Sequence, residues 1–213
     1  IDFQINELER LAVDIRLNTR INTAQIVEMK PDVIIIATGS QPRPRPIPTD
    51  SSIPTIAPIE AMDSPNLYAE KKVIVVDQVS HFPAYAPAEA IKDAGANVAI
   101  YTPKLFVGSL LDQATMVRTL RRLASKEIDM IPNAAVERIS GGSVHIKNTL
   151  TGSITQEKAD VVIAAVGNQT VDILAQELAQ TIDQLNMHVI GDAAAPRTIL
   201  EAIREGHQIS RKI

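Results

Sequence analysis

The chain contains no cysteine. That excludes disulfides, zinc–thiolate sites, a redox-active dithiol and a cysteine-held iron–sulfur cluster within these residues. A reducing, cytoplasmic compartment is the expectation that goes with it. No basic run occurs and the formal net charge is −4, so neither a nucleic acid nor an anionic membrane is an expected partner. No apolar run approaches the length of a membrane span, and no signal peptide is recognised. The chain begins at Ile1 rather than Met, which reads as a processed or trimmed piece of something longer. What remains is an ordinary globular composition, 45% hydrophobic and 22% charged over 213 residues. That is enough for one large domain or two small ones.

The dominant pattern is the short, wholly apolar, β-branched run that ends in small residues. Val33–Ala37 leads into Thr38-Gly39, and Val73–Val76 into Asp77. Val98–Tyr101 leads into Thr102, and Val161–Val166 into Gly167. Runs apolar at every position need both faces covered, as central parallel strands of an α/β sheet have. Helices are predicted between them. One spans Ala84–Ala94 and is stopped by Gly95. Another spans Gln113–Lys126, capped by Asp112, with Met116, Val117, Leu120, Leu123 and Ala124 on one face. A third, Thr198–Ile213, carries Ile199, Ala202, Ile203, Gly206 and Ile209 on a face expected to pack on a sheet.

Val136–Lys158 has a different texture. Apolar and polar residues alternate, punctuated by Gly141-Gly142 and Thr151-Gly152. This predicts a small antiparallel meander with one wet face and His145 turned to solvent. The Pro-rich stretch Gln41–Pro48 reads as a stiff connector without regular structure. These breaks predict two lobes. One is made of residues 1–62 and 168–213, the other of residues 63–167 inserted between them.

Two segments invite a ligand. Ala37-Thr38-Gly39 ends a buried strand at the carboxyl edge of a parallel sheet, where α/β proteins bind ligands; taken alone, a plain strand–turn boundary is the better reading. Val189–Thr198 ends a strand in Gly191-Asp192 and starts a helix a few residues later. An Asp there accepts hydrogen bonds from ligand hydroxyls, and the helix end offers free N–H groups to a phosphate. A simple helix cap is the alternative, for which the spacing is long.

Taken with Arg16–Thr19, Asn148–Gly152 and the Glu201–Gly206 helix, these segments resemble the two-dinucleotide-fold flavoproteins of the disulfide-reductase type. More closely, the chain resembles the C-terminal third of the trimethylamine dehydrogenase and 2,4-dienoyl-CoA reductase family. The resemblance implies two Rossmann-like three-layer folds, the first incomplete and the second inserted and carrying the meander. It implies an FAD or ADP site lined by Thr38, Gly39, Gly191, Asp192, Pro196 and Arg197. FMN and an iron–sulfur cluster would belong to a (β/α)8 barrel absent from these residues, so the chain alone is expected to be inactive and to supply no catalytic residue.

Two departures from the family pattern matter. The opening strand–GxGxxG–helix of the FAD fold does not occur here, so the first lobe is expected to flank a gap with strands near Val13–Leu17, Val33–Ala37 and Met187–Ile190. The missing barrel, or self-association through the incomplete sheet, would then be its partner. The inserted fold has no glycine fingerprint between Asp77 and Ala84, and Tyr101-Thr102-Pro103 offers no carboxylate for a ribose. Asp77, His81 and Thr102 therefore mark a degenerate NAD(P) site, doubtful for nicotinamide. That pattern is similar to the amine-dehydrogenase branch, which passes electrons to a protein acceptor. The rival function is a non-catalytic nucleotide-binding or interaction module. Four scattered His make no metal site. Arg118, Arg121 and Arg122, and the pairs Glu7/Glu9 and Glu201/Glu205, read as surface charge.

Overall fold

In the computed structural model, which describes residues 2–43, 47–181 and 187–213, the unbroken apolar runs are strands, and those at Val73–Val76, Val98–Tyr101 and Val161–Ala165 are covered on both faces, whereas in Val33–Ala37 Ile35 is 41% exposed. The chain divides into two units, residues 1–39 with 170–213 and residues 40–169. The borders fall at Gly39/Ser40 and Gln169/Thr170 rather than at 62/63 and 167/168. The reason is burial: Ile47 and Ile53 are inside the core of the larger unit, and Thr55–Ile56 pairs into its sheet.

The larger unit holds a five-stranded parallel sheet. Its strands are β3 (Thr55–Ile56), β4 (Lys72–Asp77), β5 (Asn97–Tyr101), β6 (Asp129–Ile131) and β10 (Val161–Ala165), in the order β3-β10-β4-β5-β6. Alternation sorts the side chains between two cores. Val73, Val75, Ile100 and Ile163 face one side, against α4 (Phe82–Asp93) and α5 (Gln113–Ser125). Ile74, Val76, Tyr101 and Val162 face the other, against the meander β7 (Ala134–Ser140), β8 (Ser143–Asn148) and β9 (Ile154–Glu157). A period of two along each strand thus serves both layers of a three-layer fold. Each fully buried Val or Ile contributes roughly 1.5–3 kcal/mol relative to an exposed one.

Local signals fix the helix ends. Asp112 Oδ1 accepts from the N–H groups of Ala114 and Thr115, both at 3.1 Å, and opens α5. Thr119 and Leu123 are its buried residues; Val117 and Ala124, expected on the same face, are exposed. The true stripe runs 116-119-120-123, and a threonine takes the place of an apolar residue in it.

His145 is not turned to solvent. It is 7% exposed, with Nδ1 3.1 Å from Arg138 and Nε2 3.0 Å from Ser140 Oγ. Partners on the neighbouring strand make its burial tolerable. The start of the Pro-rich stretch is also more regular than expected: β2 (Ser40–Pro42) pairs with β11 (Asn168–Thr170) in a two-stranded ribbon. Pro42 ends its strand, where a missing N–H costs least. Residues 44–46 of that stretch lie outside the described residues.

The smaller unit contains α1 (Asp2–Arg10), α2 (Thr23–Met29), β1 (Ile34–Ile36), α6 (Ile173–Ala179), β12 (Met187–Val189) and α7 (Ile199–Ile209). Among the described residues its sheet has two strands, β1 and β12, in parallel. Ile26, Ile36, Ala175, Leu178 and Ala193 form its core. No strand forms over Val13–Leu17. A strand needs a ladder partner, and no described strand pairs with this segment; Val13, Ile15 and Leu17 are 47%, 48% and 78% exposed. α7 packs through only part of its expected face. Ala202 lies against Gly191, while Ile199, Leu200 and Ile203 are exposed and no residue of the helix is fully buried.

Candidate functional site

Because β1 and β12 run in parallel with Ile36 beside Val189, their carboxyl ends lie side by side. The N–H of Ile190 donates to Ile36 O at 2.9 Å and extends the ladder by one bond. Immediately beyond, both strands lead into a turn on glycine. Gly39 has φ +78°, and a Cβ there would meet nothing within 4 Å. Gly191 has φ +59°, and a Cβ there would stand 3.4 Å from that of Ala202. The first glycine leaves the strand end open. The second lets α7 come close to the strand, a use of glycine for packing as much as for a turn.

The topology therefore brings Thr38, Gly39, Gly191 and Asp192 to one sheet edge. Thr38 Oγ1 donates to Val171 O, and the N–H of Val171 donates to Gly39 O at 3.0 Å, which ties the turn down. Asp192 Oδ1 accepts the N–H of Arg197 at 3.1 Å, closing the Ala193–Pro196 loop. Pro196 is half-buried in that loop, where its absent N–H leaves no donor unsatisfied.

Glu205 was read as surface charge and is a structural tie. Its carboxylate accepts the N–H of Gly191 at 2.7 Å and pairs with the Arg197 guanidinium. Arg197 Nε also donates to Ala195 O at 3.2 Å. The Gly191 N–H, and then Arg197, hold the Glu205 carboxyl below its ordinary range. The Thr198 hydroxyl does the same for Glu201. Glu205 was detectable as the residue that follows Glu201 by one helical turn, but its partners come from outside the helix. Arg197 immediately precedes the N-cap of α7, so its positive charge stands beside the amino end of a helix, which carries positive potential of its own.

The larger unit arranges its carboxyl edge differently. Asp77 ends β4 and is fully buried. Oδ1 accepts the N–H of Ser80 at 2.6 Å and Oδ2 the hydroxyl of Tyr85 at 2.8 Å. That hydroxyl in turn accepts the N–H of Gly108 at 2.7 Å. Burial pushes the Asp77 carboxyl up, against the lowering effect of Tyr85 and the Ser80 N–H. Tyr85 is pushed up as well, by burial first and the Asp77 charge second. Ser80 adopts φ +52°, a left-handed turn without a glycine, and its buried Oγ has no partner among the described residues. His81 is half-buried just before α4, its ring edge-on to Phe82 at 4.9 Å. Thr102 is buried; its N–H donates to Ile131 O, and its own carbonyl accepts from Ala134. Asp77, His81 and Thr102 thus reach the carboxyl ends of β4 and β5, with the Asp77 carboxylate and the Thr102 backbone engaged internally. Tyr85 was missed in the sequence; a tyrosine on the buried face of a helix was the available signal.

Residues 6–206 match the family described as pyridine nucleotide-disulphide oxidoreductase. The chain belongs to this family. Among curated members, it is similar to an N,N-dimethylglycine/sarcosine dehydrogenase of Chromohalobacter salexigens, 29% identical over 76% of this chain and 24% of that one. It is also similar to a dimethylamine dehydrogenase of Hyphomicrobium sp., 24% identical over 100% of this chain and 34% of the other. Histamine dehydrogenase from Rhizobium sp. 4-9 superposes with a TM-score of 0.84 at 25% identity, covering 92% of this chain and 33% of that one. This member of the pyridine nucleotide-disulphide oxidoreductase family therefore spans a quarter to a third of the relatives it matches, as the resemblance to the trimethylamine dehydrogenase type implied. Its family and fold are those of flavin- and nucleotide-binding oxidoreductases. No helix among the described residues is long and apolar enough to cross a membrane.

Proposed function

We propose that these residues form the adenine-nucleotide lobe of a larger flavin-dependent oxidoreductase that acts on an N-methylated amine, and that they carry no redox step themselves. The observation that carries this reading is the pair of adjacent parallel strands ending on Gly39 and Gly191, followed by Asp192, Arg197 and the amino end of α7. The residues fit an ADP moiety, free or as part of FAD. Gly39 leaves room for it, Asp192 offers a carboxylate to ribose hydroxyls, and Arg197 offers charge to a phosphate, with Pro196 and Thr38 shaping the two loops. Within FAD the isoalloxazine would supply the redox chemistry; the groups named here bind and orient only the adenosine end. The amine assignment rests on the names of the relatives, and FMN with an iron–sulfur cluster would lie outside these residues.

The second reading, a non-catalytic nucleotide-binding or interaction module, is favoured by one observation: the buried Asp77 carboxylate and the glycine-free turn at Ser80 stand where the inserted fold would seat a nicotinamide dinucleotide. Titration calorimetry of the 213-residue chain with ADP, FAD and NADH tests both. ADP binding that Arg197→Ala and Asp192→Ala each weaken by about tenfold supports the adenine site. FAD is expected to bind more weakly, for lack of a glycine-rich pyrophosphate loop in this sequence, and NADH not at all. ADP binding unaffected by either variant would overturn the assignment.

A further inference from the structure

Two carboxylates lie one turn apart on α7, and they do different work. Glu201 is spent on Thr198, just before the helix, accepting its N–H at 3.1 Å and its hydroxyl. Glu205 reaches outside the helix and gives one oxygen to each of two partners. Oε2 accepts the N–H of Gly191 at 2.7 Å, and Oε1 accepts from Arg197 Nη2.

Arg197 is tethered by these contacts. Its Nε donates to Ala195 O at 3.2 Å and its Nη2 to Glu205. Among the described residues, Glu205 is the carboxylate with which the guanidinium forms an ion pair. The positive charge at the candidate edge is therefore already answered from within the chain. The pair is open to solvent, the side chains of Arg197 and Glu205 being 40% and 26% exposed. An ion pair in that setting contributes little to stability, so the guanidinium can leave it without unfolding the helix. The bond to Gly191 is separate and holds the Glu205 carboxylate in place. That N–H also keeps the carboxyl below its ordinary range, so it is ionised at neutral pH.

We propose that Glu205 is a built-in competitor for Arg197, an autoinhibitory contact that a phosphate must break to reach the guanidinium. Carboxylate and phosphate oxygens accept the same guanidinium N–H groups, so the two are rivals for one side chain. Because Gly191 keeps Glu205 nearby, its charge also opposes a phosphate once bound. The contact therefore selects against free inorganic anions. It favours a phosphate carried on a larger molecule, whose other parts contribute binding of their own. The identity of that carrier rests on the adenine-nucleotide reading; the competition for Arg197 does not.

The test is titration calorimetry of the 213-residue chain and of Glu205→Gln with ADP, inorganic pyrophosphate and adenosine. Glu205→Gln should bind ADP and pyrophosphate about tenfold more tightly than wild type, as release of one charge-assisted hydrogen bond implies. Adenosine, which carries no phosphate, should bind both proteins alike. The glutamine carbonyl still accepts the Gly191 N–H, so hydrogen exchange at that amide should stay at the wild-type level and report an intact helix. Adding Arg197→Gln should cancel the gain. A second measurement needs no variant: saturating ADP should shift the Arg197 Nε–H resonance of the wild-type chain and leave Gly191 protected. Equal or weaker anion binding by Glu205→Gln, a gain that extends to adenosine, a gain that survives Arg197→Gln, or an unmoved Arg197 resonance would each overturn the proposal. Tighter pyrophosphate binding by Glu205→Gln with no ADP binding to either protein would sink the adenine-nucleotide reading and leave the competition standing. ADP binding to wild type with no gain in Glu205→Gln would do the reverse, and no binding of either anion to either protein would sink both.

Discussion

The hydroxyl of Tyr85 lies 2.8 Å from Asp77 Oδ2 and 2.7 Å from the Gly108 nitrogen, donating to the first and accepting from the second. One side chain of α4 thereby satisfies two buried groups, a carboxylate at the end of β4 and a backbone N–H in the loop after β5. The carboxyl edge of the larger unit is occupied by this network, and its stability and its ligand chemistry are consequently linked.

Removing the hydroxyl should be costly. Tyr85→Phe leaves Gly108 N and one Asp77 oxygen unpartnered, an expected loss of about 1–3 kcal/mol. Urea unfolding of the two proteins measures it. A difference inside experimental error would mean that water or a rearranged loop replaces the hydroxyl.

The turn at Ser80 should respond in the opposite direction. Its positive φ costs roughly 1–2 kcal/mol for a non-glycine residue, and its orphan Oγ roughly 1–3 kcal/mol. Ser80→Gly removes both while retaining the backbone N–H that Asp77 accepts. After the extra chain entropy of glycine, about 0.5–1 kcal/mol, a net gain of about 1–4 kcal/mol is expected. A lower melting temperature for the variant would contradict this account of the turn.

Asp50 gives a pH-dependent prediction. Its carboxylate accepts the N–H groups of Gly141 at 2.8 Å and Ser52 at 2.9 Å, pinning the segment after the Pro-rich stretch to the β7–β8 turn. The Ser52 side chain first, then the Gly141 N–H, lower its carboxyl from 3.8 to about 2. A lowered folded-state value means the ionised form favours folding. That stability is complete above 3.8 and is lost as the pH falls through about 2. Asp50→Asn should therefore lower the melting temperature at pH 7, with the gap narrowing between those two values and closing below them. A gap that persists unchanged at the acid end would show that charge is not its source.

Gly191→Ala should loosen α7. The added Cβ meets Ala202 at 3.4 Å on a backbone with φ +59°, an expected cost of roughly 1–2 kcal/mol from the conformation alone. Hydrogen exchange should rise in α7 and at the Gly191 N–H that Glu205 accepts. Unchanged protection there would argue that α7 is held by other contacts.

The sequence by itself determined the strands and the fold class, because a wholly apolar β-branched run can be satisfied only between two layers. Val73–Val76 and Val161–Ala165 are such runs, and Asp112 and Gly95 marked helix ends through chemistry local to the chain. It also determined the candidate edge, since Gly39 and Gly191 each follow a strand. Tertiary structure alone decided what each polar group does. Val13–Leu17 had strand-like residues but no ladder partner. His145 and Glu205 had the look of surface residues until Arg138, Ser140, Gly191 and Arg197 arrived from elsewhere in the chain. Asp77, read as part of a degenerate dinucleotide site, is buried and bonded to a tyrosine eight residues on. Periodicity encodes which face of an element is covered; the partner of a hydrogen-bonding group is set by which elements the fold brings alongside, and a single sequence does not carry that distance.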